Sequence, residues 1–293
     1  MTMTLLSAWQ AAKQRLEKAG LAGPVIDARL LVEAAAEATR ADIVTDPYRP
    51  LSAEQEATLS DYLDRRERRE PVSHILGRKG FWKIMLQVDD RVLTPRPDTE
   101  SVVEAALREF PEHAPWRVLD LGVGSGAIVL AILAERPAAK GLGVDVSEEA
   151  LAVARDNAAS LGLAGRLALL RGDWTEGLAD ESFDLVVANP PYIATHVIET
   201  LEPEVRRYEP RIALDGGPDG LAAYRILAPE ILRVLRPGGR FAVEIGYDQK
   251  EPVEALFRAA GARDIATLRD LGDRDRVVTG AKNPLETATR VAT

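Results

Sequence analysis

The chain has 293 residues, a formal net charge of −9 and no cysteine. That length allows one large or two modest domains, and the lack of cysteine excludes disulfides, thiolate metal sites and cysteine nucleophiles together, in keeping with a reducing cytoplasm. Residues 1–83 carry 13 Lys/Arg against 12 Asp/Glu and the remainder 24 against 34, so the later part is acidic, which argues against tight binding along a nucleic-acid backbone.

The opening MTMTLLSAWQAAKQRLEKAG lacks a charged n-region and is charged by Lys13, so neither a signal peptide nor a membrane span is expected. Its apolar positions Leu5, Trp9, Ala12 and Leu16 predict a helix ending at Gly20. A second helix starts with Pro24 in its first turn and carries Ile26, Leu30, Leu31 and Ala34. A third opens on a Ser52/Gln55 capping box and runs through Leu59 and Leu63 into RRERRE, a charge run that fits a solvated helix face better than a dedicated binding surface. FWKIMLQVDD followed by Arg91-Val92-Leu93 predicts a hairpin turning at the Asp-Asp pair. The prolines of LTPRPDTE make a rigid connector, with Asp98 or Thr99 opening a helix that bears Val102, Val103, Ala106 and Leu107. Strand and helix patterns then alternate: strands at 118–122, 141–146, 167–173, 183–188 and 239–246, helices between them, and a helix with two strands to close. Regular alternation of this kind predicts an α/β fold with a mostly parallel sheet covered on both faces. The expected division is a helical domain at 1–78, a hairpin and connector at 79–97, an α/β domain at 98–282 and a flexible tail at 283–293.

The fourth of these strands, FDLVVA, stops at Asn189-Pro190-Pro191-Tyr192. Two prolines fix φ, remove two backbone donors and hold Asn189 extended, giving a stiff corner at a strand's carboxyl end, where open α/β sheets bind ligands. Asn189 offers a side-chain carbonyl and an NH2, Pro190 a backbone carbonyl, and Tyr192 a flat face. Two oxygens can take both hydrogens of a planar NH2 group while the ring covers it. With no strong base present, the corner suits a reaction limited by positioning, such as attack of an amide or exocyclic amine on an activated methyl group. The same tetrapeptide can also be a strand-ending turn and nothing more.

The first sheet strand leads into Asp120-Leu121-Gly122-Val123-Gly124-Ser125-Gly126, whose glycines let backbone approach a ligand at a helix amino terminus. With Ala127 the loop also satisfies a loose dinucleotide fingerprint, so a nicotinamide oxidoreductase must be weighed. Asp145 ends the second strand, placed to accept from ribose hydroxyls or simply to neighbour the helix cap Ser147. Asp173-Trp174 ends the third, where a carboxylate can accept from an adenine amine and an indole can pack on its ring, unless Trp174 is only core. These two features favour S-adenosylmethionine over a nicotinamide, since hydride chemistry wants an acid or base that does not stand out here. His74, His113 and His196 have no ligand spacing, so no metal is expected.

Taken together these residues resemble the class I S-adenosylmethionine-dependent methyltransferases, and within them the release-factor glutamine methyltransferases of the PrmC/HemK family. The resemblance runs through the helical amino-terminal domain, Leu93 to Glu100, Asp120 to Ala127, Asn189 to Ile193, Glu209-Pro210 with Ala213-Leu214, Gly217 to Leu221, and Glu244-Ile245-Gly246. Asn-Pro-Pro-Tyr is shared with adenine and guanine amino-methyltransferases; the connector and the Asp219-Gly220-Leu221 segment separate the family from them. Val123 stands where the family often has Thr, and Asp98 where it often has Glu. The resemblance implies a Rossmann-like sheet, mostly parallel with an antiparallel closing strand, and a small helical domain for substrate docking. It implies methylation of the glutamine amide nitrogen in the Gly-Gly-Gln motif of class I peptide chain release factors, by a cytoplasmic monomer that binds neither membrane nor nucleic acid. Gly122, Val123, Gly124, Ser125, Gly126, Asp145, Asp173, Trp174 and Asn189 are then the cofactor set. Asn189, Pro190 and Tyr192 are the catalytic set, with Pro191 helping to wall the substrate slot. A ribosomal-protein glutamine methyltransferase and a nucleic-acid amino-methyltransferase are the rival readings.

Overall fold

The computed structural model describes residues 2–284. They form two compact units, residues 2–78 with Glu202–Tyr208, and Lys79–Leu201 with residues 209–284. The tail expected at 283–293 falls almost entirely outside the described residues.

In the first unit helices span Leu5–Lys18, Pro24–Ala35, Arg40–Thr45, Ala53–Glu67 and Val72–Leu76. The Ser52/Gln55 box closes as expected, Gln55 N donating to Ser52 Oγ at 3.2 Å and Ser52 N to Gln55 Oε1 at 3.0 Å. Arg40–Thr45 and Val72–Leu76 were not anticipated, because so short a helix is too brief to show periodicity; a Thr39/Asp42 capping box starts the first and Gly77, at φ 64°, ends the second. Leu5, Leu16, Leu31, Leu59 and Leu63 make the shared core. RRERRE is not a solvated face. Arg66, whose side chain is 6% exposed, donates to Asp27 at 2.7 Å and to Glu204 at 3.0 Å, and Arg65 pairs with Glu70 at 2.5 Å. Glu204 lies in the short helix Pro203–Tyr208, so these arginines fasten a distant piece of chain to the bundle.

In the second unit the hairpin pairs β1 (Arg78–Phe81) with β2 (Ile84–Gln87). It turns at Trp82-Lys83, not at the Asp-Asp pair. Trp82 takes a left-handed φ of 51°, and its backbone N donates to Glu100 at 2.8 Å. Arg91 to Leu93 form no strand: Asp89 accepts from Arg91 N at 3.0 Å and grips its guanidinium, closing a local turn. The helix after the connector runs Glu100–Glu109, preceded by a 3-10 turn at Pro97–Thr99, and neither Asp98 nor Thr99 caps it through a side chain.

The sheet strands are β3 (Arg117–Leu121), β4 (Lys140–Asp145), β5 (Leu167–Arg171), β6 (Phe183–Ala188), β7 (Leu235–Glu244), β8 (Arg263–Arg269) and β9 (Asp275–Ala281). Their order is β5-β4-β3-β6-β7-β9-β8, with β9 antiparallel to both its neighbours and the rest parallel. This is the expected Rossmann-like sheet. The helix Ala127–Glu135 is buried along almost its whole length, because it packs on the sheet's middle. The helix Ala222–Val234 keeps Pro229 in its interior, which removes a backbone donor at a cost of about 3 kcal/mol. Burial of Leu227, Ala228, Ile231 and Leu232 against the other sheet face offsets it. Among the described residues no helix is long and apolar enough to cross a membrane.

The chain proceeds from β3 outward through β4 to β5, then returns to lay β6 on the other side of β3. That reversal opens a crevice at the carboxyl ends of β3 and β6, whose last residues Leu121 and Ala188 are in register.

Candidate active site

The glycine loop and the Asn-Pro-Pro-Tyr corner leave β3 and β6 side by side, so the crevice is bounded by the two segments singled out from sequence. A cavity of about 540 Å³ fills it. Gly122, Val123, Gly124, Ser125, Asp145, Asp173, Trp174, Asn189 and Pro191 all line it. Gly126, Pro190 and Tyr192 are not among its lining residues. Gly126 shapes the loop instead. It is the N-cap of Ala127–Glu135 with φ 83°, and a Cβ there would lie 2.8 Å from Leu130 Cδ1.

Asp145 is fixed by two backbone donors, Gly124 N to Oδ2 at 2.9 Å and Ser147 N to Oδ1 at 3.0 Å. It therefore orders the loop and the following helix, and it also lines the cavity. Trp174 takes a left-handed φ of 50°, and its indole lies against Gly122, 3.6 Å from where a Cβ would stand. Asp120, at the end of β3, is fully enclosed. Its Oδ2 accepts from Val129 N at 3.2 Å, while Oδ1 has no hydrogen-bond partner among the described residues. Burial pushes its carboxyl up to about 7, with the nearby Asp145 charge adding to the shift and the Val129 amide opposing it.

At the corner, Asn189 Nδ2 donates to Thr99 Oγ1 at 3.2 Å. Thr99 is 4% exposed, and its side chain helps the buried Glu244 carboxylate, at the end of β7, toward its charged form. Burial pushes Glu244 up to about 7, opposed by Thr99, the Arg276 charge and the Tyr192 hydroxyl, which donates to Oε1 at 3.4 Å. Burial and the Glu244 charge also raise the Tyr192 phenol, which therefore stays neutral and cannot act as a base near neutral pH. Arg276 is tied to Asp270 at 3.0 Å and to Asp98 at 3.3 Å. The Tyr192 side chain thus turns toward Glu244 rather than lying open in the cavity.

The segment Asp215 to Leu221 is the cradle of this corner. Ile193 N donates to Leu214 O at 3.0 Å, and Gly216 N returns to Ile193 O at 2.8 Å. Thr195 N bonds Gly217 O at 2.9 Å, and Asp215 accepts from the Thr195 hydroxyl at 2.6 Å. Gly216 packs so closely that a Cβ would lie 2.8 Å from Pro191 O. Gly216 and Gly220 are there because backbone packs on backbone, whereas Gly217 holds φ 85° with the Ala222 Cβ 2.9 Å from where its own would stand.

Thr99, Glu244, Arg276 and Gln249 were not named as site residues from sequence. Thr99 and Glu244 sat inside motifs already quoted, the connector and Glu-Ile-Gly, so their motif membership was the available signal. Arg276 and Gln249 carried none.

The donor set fits S-adenosylmethionine better than a dinucleotide. Asp145 already occupies the Gly124 amide that a phosphate would need, and Asp145, Asp173 and Glu149 line the cavity with negative charge that suits a cation. Asp145, Asp173, Trp174 and the loop from Gly122 to Ser125 all stand on the wall of that one cavity.

Comparison with known proteins agrees. Residues 7–77 match the PrmC N-terminal domain, and residues 112–270 a methyltransferase domain. The release factor glutamine methyltransferase of Caulobacter vibrioides is 71% identical over 98% of this chain and 99% of its own. That of Agrobacterium fabrum is 42% identical over 92% and 94%. Among solved structures, a methyltransferase from Pyrococcus furiosus superposes with a TM-score of 0.50 at 18% identity, covering 68% of this chain and 88% of its own, a likeness of fold alone. With two domain matches in order and a relative this similar along nearly its whole length, the chain belongs to the release factor glutamine methyltransferase family.

Proposed function

We propose that the protein uses S-adenosylmethionine to methylate the side-chain amide nitrogen of the glutamine in the Gly-Gly-Gln motif of class I peptide chain release factors, with Asn189 as the acceptor clamp. Bound in the crevice, the cofactor supplies a methyl group on a sulfonium, which leaves as the S–C bond electrons stay on sulfur and a new N–C bond forms. A glutamine amide is a poor nucleophile because its lone pair is delocalised. Oxygen acceptors on its two hydrogens, Asn189 Oδ1 and the Pro190 carbonyl, hold the nitrogen in line and favour the positive charge that develops on it. The proton is then lost to solvent, so no protein base takes part. Pro191 restricts the slot, and Tyr192, turned from the cavity, braces the corner through Glu244. The observation that carries this reading is the tether of Asn189 Nδ2 to Thr99, which leaves Oδ1 for a ligand at the edge of the cavity. Relatives named for release factors supply the substrate class, and we assign the helical unit, which matches the PrmC N-terminal domain, to docking it. Action on a translation factor supports a cytoplasmic location, with which a chain free of cysteine agrees.

The test is incubation with labelled S-adenosylmethionine and purified release factor, followed by mass mapping. One added methyl on the Gly-Gly-Gln glutamine is the expected result; label on another residue, or on ribosomal protein or nucleic acid instead, overturns it.

A further inference from the structure

The helix Glu148–Ser160 turns Ala150, Leu151, Val153, Ala154 and Ala158 into the core, and among them stands Asn157, with no exposed surface. Asparagine suits a buried helix face poorly, because its amide costs free energy there unless its donors and acceptor find partners. Here both protons and the oxygen do. Oδ1 accepts from Gln87 N at 2.7 Å, and Nδ2 gives one proton to Gln87 O at 3.0 Å and the other to Ser125 O at 2.9 Å. The amide thus pairs with the free edge of β2 as a neighbouring strand would, and its remaining donor holds the glycine loop. Exchanging its oxygen and nitrogen would set donor against donor at Gln87 N and oxygen against oxygen at Ser125, so one orientation alone satisfies the site.

Both segments joined in this way run on into the cavity wall, of which Asn157 itself is no part. β2 ends at Gln87 and the chain continues into Asp90, Arg91, Val92 and Leu93, all on the wall; Ser125 ends the wall stretch that begins at Gly122. The start of the glycine loop is held from β4, Gly122 N and Val123 N donating to Val144 O at 2.9 and 3.0 Å and Gly124 N to Asp145 Oδ2 at 2.9 Å. Its far end, at Ser125 O, is held by Asn157. We propose that Asn157 is a positioning residue for cofactor binding, fixing the glycine loop relative to the segment 90–93 and so setting the spacing of two parts of the wall that receives S-adenosylmethionine. This rests on the reading of the crevice as the S-adenosylmethionine site. Without the amide, Ser125 O and both backbone groups of Gln87 lose their partner in the interior and must turn to find another, which shifts loop and wall together. The methyl group that is transferred makes no use of this link. Its loss should therefore weaken S-adenosylmethionine and the demethylated product, S-adenosylhomocysteine, by the same factor.

The experiment uses the full chain and compares wild type with Asn157→Asp, Asn157→Leu and Val253→Ala. Asn157→Asp keeps the shape and the acceptor for Gln87 N but has at most one proton for two carbonyls; Asn157→Leu has none. Val253, fully buried against the other sheet face and absent from the cavity wall, controls for lost stability alone. Calorimetry should show the dissociation constants of both S-adenosylmethionine and S-adenosylhomocysteine raised by about tenfold or more in each Asn157 variant, since binding must restore a wall arrangement that the unpaired groups oppose. At saturating cofactor, kcat and KM for purified release factor should stay within about threefold of wild type. Val253→Ala should lower the melting temperature and leave both cofactor constants unchanged. Should Asn157→Leu fail to fold, Asn157→Asp decides. A folded Asn157 variant with wild-type cofactor constants overturns the proposal and leaves Asn157 a structural tie only. So does a Val253→Ala protein that loses as much cofactor affinity, or an Asn157→Asp protein that loses affinity for one of the two ligands alone. Wild type that binds neither ligand would instead bring down the cofactor reading on which the proposal stands.

Discussion

Gln249 Nε2 donates to the backbone carbonyl of Tyr192 at 3.0 Å and to that of Gly220 at 3.1 Å, while its Oε1 accepts from Gly246 N at 3.0 Å. One amide thus ties together the exit of the Asn-Pro-Pro-Tyr corner, the segment that cradles it and the turn after β7. Gln249→Ala leaves two buried carbonyls and an amide unpaired, and a buried unsatisfied group costs about 1–3 kcal/mol. The expected outcome is a loss of about 2–4 kcal/mol in denaturant unfolding, together with a kcat lowered more than cofactor affinity. A Gln249→Ala protein as stable as wild type would mean that water replaces the side chain without cost.

Gly216 makes a sharper test of the same cradle. A Cβ at this position would stand 2.8 Å from Pro191 O and from Tyr192 Cα, and 2.9 Å from Gly220 Cα, all of them backbone. Gly216→Ala should therefore push on the corner itself, costing about 1–3 kcal/mol as overpacking does, and lower kcat at saturating substrates by about tenfold or more. Gly162→Ala is the control: its φ of 69° is strained for alanine, yet nothing lies within 4 Å of the new Cβ. That variant should lose about 1 kcal/mol of stability and no activity.

What was legible in the sequence was whatever depends on local pattern. The strand Phe183–Ala188, the Ser52/Gln55 cap, the Ser147 cap and the loop at Gly122 to Gly126 are each written in consecutive residues, and each is found where expected. The hairpin was misplaced because Asp89-Asp90 has turn composition, while the true turn puts Trp82 in a left-handed conformation that only its links to Glu100 and Glu135 explain. RRERRE was misread because the partner of Arg66 lies 138 residues away in the chain. The surroundings of Asn189 were invisible for the same reason: Thr99 is 90 residues before it, and Arg276 sits on β9. A sequence shows motifs; it does not show which motif will hold another in place.

Asp120 gives stability a pH dependence whose direction is fixed. Its folded pKa is pushed up to about 7 from an ordinary 3.8, so between these values the folded protein binds a proton that the unfolded chain releases. The stabilising contribution is complete below about pH 3.8 and lost as pH rises through about 7. Asp120→Asn keeps the shape and removes the titration. In the cofactor-free protein it should be more stable than wild type by about 2–4 kcal/mol at pH 8 and nearly equal to it at pH 4. Glu244 has the same sign and is present in both proteins, so the difference between the two melting curves belongs to Asp120. A constant offset across pH would show that Asp120 is already ionised in the folded state at acid pH.

Asp145 should act on the cofactor before it acts on the chemistry. Asp145→Ala removes the acceptor from Gly124 N and Ser147 N as well as a carboxylate of the cavity wall, so both the loop and that wall are loosened. Calorimetry should show S-adenosylmethionine affinity reduced by about 10–100-fold, as loss of a charge-assisted pair of about 1.5–3 kcal/mol requires. At saturating cofactor, kcat should stay within about threefold of wild type. A variant that binds the cofactor normally but turns over slowly would move Asp145 from cofactor holding to acceptor positioning.

The helical unit carries two large exposed apolar side chains close together in sequence, Val44 at 75% and Tyr48 at 77% exposure. Neither is needed by the core of that unit, which is built from Leu5, Leu16, Leu31, Leu59 and Leu63. Single exposed hydrophobes need no explanation, but a tyrosine and a valine four residues apart are the kind of anchor that a protein partner covers. If this unit docks the release factor, Val44→Ser with Tyr48→Ala should raise KM for the intact factor by about tenfold or more. Cofactor affinity, kcat at saturation and the melting temperature should not change. The control is a short peptide bearing the Gly-Gly-Gln motif, too small to span a docking surface and the active site together: its KM should be the same for variant and wild type. Equal KM values for the intact factor would place the docking surface elsewhere, and a KM raised for factor and peptide alike would mean that the substitutions act on the acceptor slot and not on docking.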